Sequence, residues 1–93
     1  MASQAKHIIV HGRVQGVGFR FFVQHVAERL GLCGNVRNCE DGTVEIIVEG
    51  NPKRISEFVE QVGKGPPLAR VSRLDVHDLH SEGNYSTFEI EGW

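Results

Sequence analysis

A chain of 93 residues has room for one hydrophobic core, so a single domain over residues 1–93 is expected. Hydrophobic residues make up 40% and charged residues 24%; with a formal net charge of -2, the surface is not built to attract nucleic acid or an anionic membrane. The first six residues lack the layout of a signal peptide and no apolar run is long enough to span a bilayer, which points to a cytoplasmic protein.

Residues 6–12 read as a strand, with Ile8 and Val10 on one face and His7, Ile9 and His11 on the other, partly covered, face. A glycine-studded turn follows. Phe19, Phe22, Val23, Val26, Ala27 and Leu30 then keep the spacing of a helix buried on one side, with its body over residues 22–30 and Gly31 as its stop. Residues 32–39 predict a second strand. Glu40-Asp41-Gly42 signals a hairpin into a third strand over residues 43–49, where Val44, Ile46 and Val48 alternate with Thr43, Glu45, Ile47 and Glu49. Asn51 and Pro52 are a cap and first position for a second helix, whose stripe is Ile55, Phe58, Val59 and Val62 and which ends at Gly63–Pro67. A fourth strand over residues 69–78 alternates less regularly, as a bulged strand would. Residues 80–84 read as a polar loop and residues 87–91 as a short last strand, with Phe88 and Ile90 inward.

The order β-α-β-β-α-β plus a terminal strand predicts an α+β fold: a two-layer, ferredoxin-like sandwich with two helices on one face of an antiparallel-rich sheet. Nothing in the pattern says where the fifth strand joins.

The turn Gly12-Arg13-Val14-Gln15-Gly16-Val17-Gly18-Phe19-Arg20 is the stretch that carries chemistry. A strand, a glycine turn and a helix start gather main-chain N–H groups that have no intrahelical partner, at the positive end of the helix dipole. No Ser, Thr, Asp or Asn stands at residues 17–19 to cap the helix, and no carboxylate occupies its first turn. Arg20 is there instead, a cation where the dipole disfavours one. A bound anion resolves the conflict, held by amides and a guanidinium fork. In a right-handed β-α-β unit the first two strands run parallel, so the end of the second, at Arg37-Asn38, lies beside this turn. Asn38 is the nearest polar partner for that anion.

Together these residues resemble the acylphosphatase family. The run Gly12–Arg20 is similar to that family's first signature. Gly34, Val36, Arg37, Asn38, Gly42, Val44 and Gly50 follow as its second, over essentially the whole chain. One position departs: Asn35 stands where the family usually carries an aromatic. The resemblance implies a hydrolase of acyl phosphates, releasing carboxylate and inorganic phosphate without metal or cofactor. It implies that Arg20 binds phosphate with the loop Gln15, Gly16, Val17, Gly18 and Phe19, and that Asn38 orients the attacking water. The partners expected are small acyl phosphates and product phosphate, with no nucleic acid or membrane partner, and the protein is expected to be a monomer.

The residue set agrees with that chemistry. A cysteine-dependent phosphatase closes a similar cradle with an arginine six positions after its thiol; here that position is Val14. No Asp, Glu or His lies in the turn to protonate an alkoxide. An acyl phosphate expels a carboxylate, which leaves unprotonated, and what remains is positioning and charge stabilisation. The rest of the polar inventory reads as ordinary surface. Cys33 and Cys39, on one extended strand, would stand roughly 20 Å apart, too far for a disulfide, and are expected as reduced thiols. His7 and His11, roughly 13 Å apart along a strand, are too distant to share a metal. Arg13, His77 and His80 read as solvated. The competing readings are an anion-binding module on the same fold and single-stranded RNA binding on the open sheet face. The latter needs stacking aromatics, and that face offers His7, Ile9, His11, Glu45, Ile47 and Glu49 instead.

Overall fold

The computed structural model describes residues 3–80 and 83–92. Met1, Ala2, Trp93 and the Ser81-Glu82 portion of the expected polar loop lie outside the described residues. The elements follow as β1 (Gln4–Arg13), α1 (Phe19–Arg29), β2 (Cys33–Asn38), β3 (Val44–Gly50), α2 (Pro52–Lys64), β4 (Arg70–Leu79) and β5 (Phe88–Glu91). The strands form one sheet in the order β4-β1-β3-β2-β5. β1 is antiparallel to β3 and β4, and β2 is antiparallel to β3. The α+β, ferredoxin-like sandwich expected from the element order is the architecture observed.

Alternation sets the two faces. Ile8 pairs with Ile46 and Val10 with Val44, and Val36 faces Ile46 from the other side. All are fully buried, joining Phe19, Val23 and Val26 of α1 and Ile55, Phe58 and Val62 of α2 in one core between sheet and helices. At about 25 cal/mol per Å² of apolar surface, that layer is what holds the helices on the sheet. The opposite face is polar and laced by ion pairs. His7 and Arg37 meet Glu45, while His11 and Arg73 meet Asp75.

Two helix boundaries differ from the sequence reading for physical reasons, and the bulge expected in the fourth strand is present. α1 begins at Phe19, not Phe22, because Gly18 takes the left-handed conformation and serves as N-cap with no side-chain bond. α2 runs through Gly63 to Lys64 and stops at Gly65, whose φ is 69°. The irregularity of the fourth strand is a bulge: the β1–β4 register steps from His11 opposite Arg73 to Gly12 opposite Val71. β5, which the sequence did not position, adds to the edge of β2 and runs parallel to it, pairing Gly34 with Phe88 through Arg37 with Glu91.

The parallel strands share a direction, and so share an exit. β1, β2 and β5 all point the same way, so the turn after β1, Asn38 at the end of β2 and Glu91 at the end of β5 arrive at one edge of the sheet.

Candidate active site

The turn between β1 and α1 is built on two glycines in the left-handed region, Gly16 at φ 72° and Gly18 at φ 75°. A side chain at either would meet nothing within 4 Å, so the backbone angle alone calls for glycine there. Two left-handed glycines flanking Val17 are a backbone pattern in which an anion-binding nest can form. Helical bonding starts from Phe22 N–H to the Gly18 carbonyl at 3.1 Å. Among the described residues, the N–H groups of residues 16–21 have no main-chain acceptor. α2 begins differently. There Asn51 Oδ1 accepts from Lys53 N–H at 2.9 Å and Arg54 N–H at 3.4 Å, a cap worth about 1 kcal/mol. The same chain caps one helix and leaves the other open.

Side chains complete the site. Gln15 does not turn into the nest. Its Nε2 donates to the carbonyls of Cys39 and Thr43, at 2.8 Å each, and fastens the turn to the β2–β3 hairpin. That hairpin is closed by its own turn, where Asp41 Oδ1 accepts from Thr43 N–H at 3.0 Å. The bonds from Thr43 hold the Asp41 carboxyl below the usual carboxylate range. Arg20, on the first turn of α1, donates through Nη1 to the main-chain carbonyl of Glu91 at 3.3 Å. Among the described residues it pairs with no carboxylate, so its charge is uncompensated. Arg37, next to Asn38 in sequence, points to the open face, where its Nε donates to Glu45 at 2.5 Å. That carboxylate raises the guanidinium's pKa.

Asn38 pairs with Val44 on the helix side of the sheet. Its Oδ1 is buried and has no hydrogen-bond partner. A buried carbonyl left unpaired costs about 1–3 kcal/mol, so the fold tolerates a penalty at this atom. Arg20 and Asn38 stand between two cavities and line both. The larger, about 360 Å³, is also lined by Gln15, Arg37, Cys39, Glu40, Glu91 and Gly92. The smaller, about 230 Å³, is formed by the turn itself: Val14, Gly16, Gly18, Phe19 and Phe21. The sequence-derived pair Arg20 and Asn38 is therefore brought together with the glycines. Val17 is partly buried and packs against the core, so what it offers the site is main chain. Glu91 and Gly92 were missed by sequence reasoning, since no local pattern announces which edge a terminal strand will join.

Away from this edge, Cys33 and Cys39 are both free thiols, and burial first, then the Glu49 charge, pushes Cys33 up. Among the described residues no group of three or more His, Cys, Asp or Glu is arranged to hold a metal ion. No helix among them is long and apolar enough to cross a membrane.

Comparison with known proteins is consistent across three kinds of match. The Acylphosphatase family model matches residues 6–90. An acylphosphatase of Koribacter versatilis is 43% identical over 90 residues, which is 97% of this chain and 82% of that one. The crystal structure of acylphosphatase from Bacillus subtilis superimposes with a TM-score of 0.90 at 44% identity, covering 94% of this chain and 97% of that one. An acylphosphatase structure from Coxiella burnetii gives a TM-score of 0.91 at 37% identity, over 96% and 93% of the two chains.

Proposed function

Since this chain belongs to the acylphosphatase family, and is an enzyme of acyl-phosphate hydrolysis, we propose that it works by direct attack of water on phosphorus, with Arg20 and Asn38 as its catalytic residues. The phosphoryl group lies on the main-chain N–H groups of residues 15–20 and against the Arg20 fork. These donors meet charge on the phosphoryl oxygens as the bond to the acyl oxygen lengthens. The Asn38 side-chain amide orients the attacking water and aligns it opposite the leaving group.

The step balances without a protein acid or base. The water oxygen forms a bond to phosphorus, the bond from phosphorus to the acyl oxygen breaks, and its electron pair leaves with the carboxylate. The water's proton goes to a phosphoryl oxygen. Carboxylate and inorganic phosphate result.

The observation that supports this reading is that Arg20, paired with no carboxylate among the described residues, and Asn38 together line the two cavities at the glycine turn. Hydrolysis of benzoyl phosphate in ¹⁸O-labelled water tests the step. The label is expected in phosphate; label in benzoate means attack on the carbonyl carbon and overturns the mechanism. A protein that binds phosphate at this site and turns over no acyl phosphate is an anion-binding module instead.

The reading also gives expected associations. The partners are small acyl phosphates and product phosphate, acting on a monomer in the cytoplasm. Sedimentation with and without phosphate checks the monomer.

A further inference from the structure

Arg37 lines the larger cavity with Arg20 and Asn38, although it belongs to the other face of the sheet. Strand alternation sends Asn38 to the helix side and Arg37 to the open side, and the cavity wraps around the end of β2, where the two sides meet. In register, Arg37 lies between Glu45 of β3 and Glu91 of β5. Only Glu45 engages it. Arg37 Nε donates to Glu45 Oε1 at 2.5 Å, whereas the Glu91 carboxylate accepts from Asn35 Nδ2 at 2.7 Å. The second Glu45 oxygen, Oε2, is taken by His7 Nε2 at 2.8 Å, so it is not offered to the arginine as the other half of a fork. The result is a guanidinium anchored by Nε and about half exposed. Its Nη groups make no hydrogen bond among the described residues.

With the phosphoryl group on the glycine turn, the smaller cavity is filled. Arg20 and Asn38 line both cavities, so the larger one is the adjoining space for the rest of the substrate, its acyl portion. As the bond from phosphorus to the acyl oxygen breaks, the electron pair stays on that oxygen and a carboxylate charge grows there. We infer that Arg37 is a further catalytic residue, whose Nη groups donate to the acyl oxygen as it departs and stabilise the carboxylate that forms. No proton is transferred: the carboxylate leaves unprotonated and the guanidinium keeps its charge. The interaction strengthens as the bond lengthens, so it belongs to the transition state more than to the bound substrate. This rests on the mechanism proposed above and assigns the leaving-group side of it.

The test measures kcat, KM and inorganic phosphate affinity in the wild type, Arg37→Gln and Arg37→Lys, with para-nitrobenzoyl phosphate as the better leaving group and para-methoxybenzoyl phosphate as the poorer. Arg37 is exposed, so neither change touches the core. In Arg37→Gln, kcat is expected to fall roughly tenfold with KM and phosphate affinity within about twofold of wild type, the pattern of an interaction made in the transition state alone. The loss is expected to be larger for the poorer leaving group, and Arg37→Lys is expected to recover part of it. Unchanged kcat, or an equal loss with both leaving groups, overturns the assignment and leaves Arg37 as a partner of Glu45 only. A parallel loss of phosphate affinity also overturns it, by placing Arg37 on the phosphoryl group. Each of these outcomes leaves the hydrolytic mechanism standing. A wild type inert toward both substrates overturns the mechanism and the inference together.

Discussion

Arg20 and Glu91, 71 residues apart in sequence, are joined by a hydrogen bond from the guanidinium to a neutral main-chain carbonyl at 3.3 Å. A neutral acceptor steadies the fork and leaves its charge undiminished, where a carboxylate would compete with an incoming phosphoryl group. The Glu91 side chain reinforces the arrangement from the other face of the sheet. Its carboxylate accepts from Asn35 Nδ2 at 2.7 Å and ties β5 to β2. Asn35 is the position at which the sequence departs from the family pattern, and its amide is used here as a strand-to-strand tie.

Replacing Arg20 with Gln removes the charge and the fork together. Turnover and phosphate affinity should both fall, kcat/KM on the order of 10³-fold, the scale of losing a strong transition-state donor. Arg20→Lys keeps the charge and loses the bidentate geometry, so it should recover only part of the activity. Steady-state kinetics with an acyl phosphate, alongside calorimetric titration with inorganic phosphate, measures both. Full activity in Arg20→Lys would show that charge alone suffices.

Asn38→Ala should separate stability from activity. Its unpaired, buried Oδ1 is a cost in the folded state, and removing it should raise stability by about 1 kcal/mol. The same change should lower kcat at least on the order of 10²-fold, with phosphate binding retained. Urea midpoints and kcat are the readouts. Wild-type turnover sinks the water-orienting role, and a clear loss of stability sinks the claim that this carbonyl is unsatisfied.

Gly18 makes its contribution through backbone angle, not space. An alanine Cβ there meets no atom within 4 Å, yet φ is 75°. Gly18→Ala should therefore cost about 1 kcal/mol and weaken phosphate binding as the nest relaxes. Gly18→Asn, which tolerates the left-handed region, should be the milder change. Equal destabilisation by the two would point to crowding instead.

Acid should act first on the open face. The hydrogen bond from His7, then that from Arg37, holds the Glu45 carboxyl below its ordinary range, against burial; His11, then Arg73, does the same for Asp75. Folded-state values that lie below the unfolded ones give a contribution that is complete above the ordinary carboxylate pKa of about 4. It is lost as pH falls through the lowered values. Melting temperature should drop on acidification from about pH 5 downward. Glu45→Gln, the better buried of the two, should make that acid limb shallower. A variant curve parallel to the wild type over the whole limb would remove Glu45 from the account.

Much of this architecture is legible in the sequence because its signals are local. Alternation at Val44, Ile46 and Val48 gives a half-buried strand, Asn51-Pro52 gives a helix start, and the absence of a cap before Phe19 marks the open helix end. The nearness of Asn38 to the turn follows from a chirality rule and needs no contact information. What stays hidden is decided at long range. β5 pairs with the edge of β2 because Phe88 and Ile90 find the core there, and Phe88 is 2% exposed. The Gln15 amide goes to two hairpin carbonyls, a destination invisible until β2 and β3 are folded beside it. The early start of α1 reflects a glycine acting as cap by its angle, for which composition offers no side-chain cue.

The brace between Arg20 and Glu91 sets a limit on how far the protein can be shortened. A fragment stopping before residue 88 would keep the glycine turn, Asn38 and both helices, yet its guanidinium would swing without a backstop and β2 would be left as a bare edge. Hydrolytic competence thus belongs to the five-stranded sheet as a whole, and no shorter piece containing the turn should inherit it.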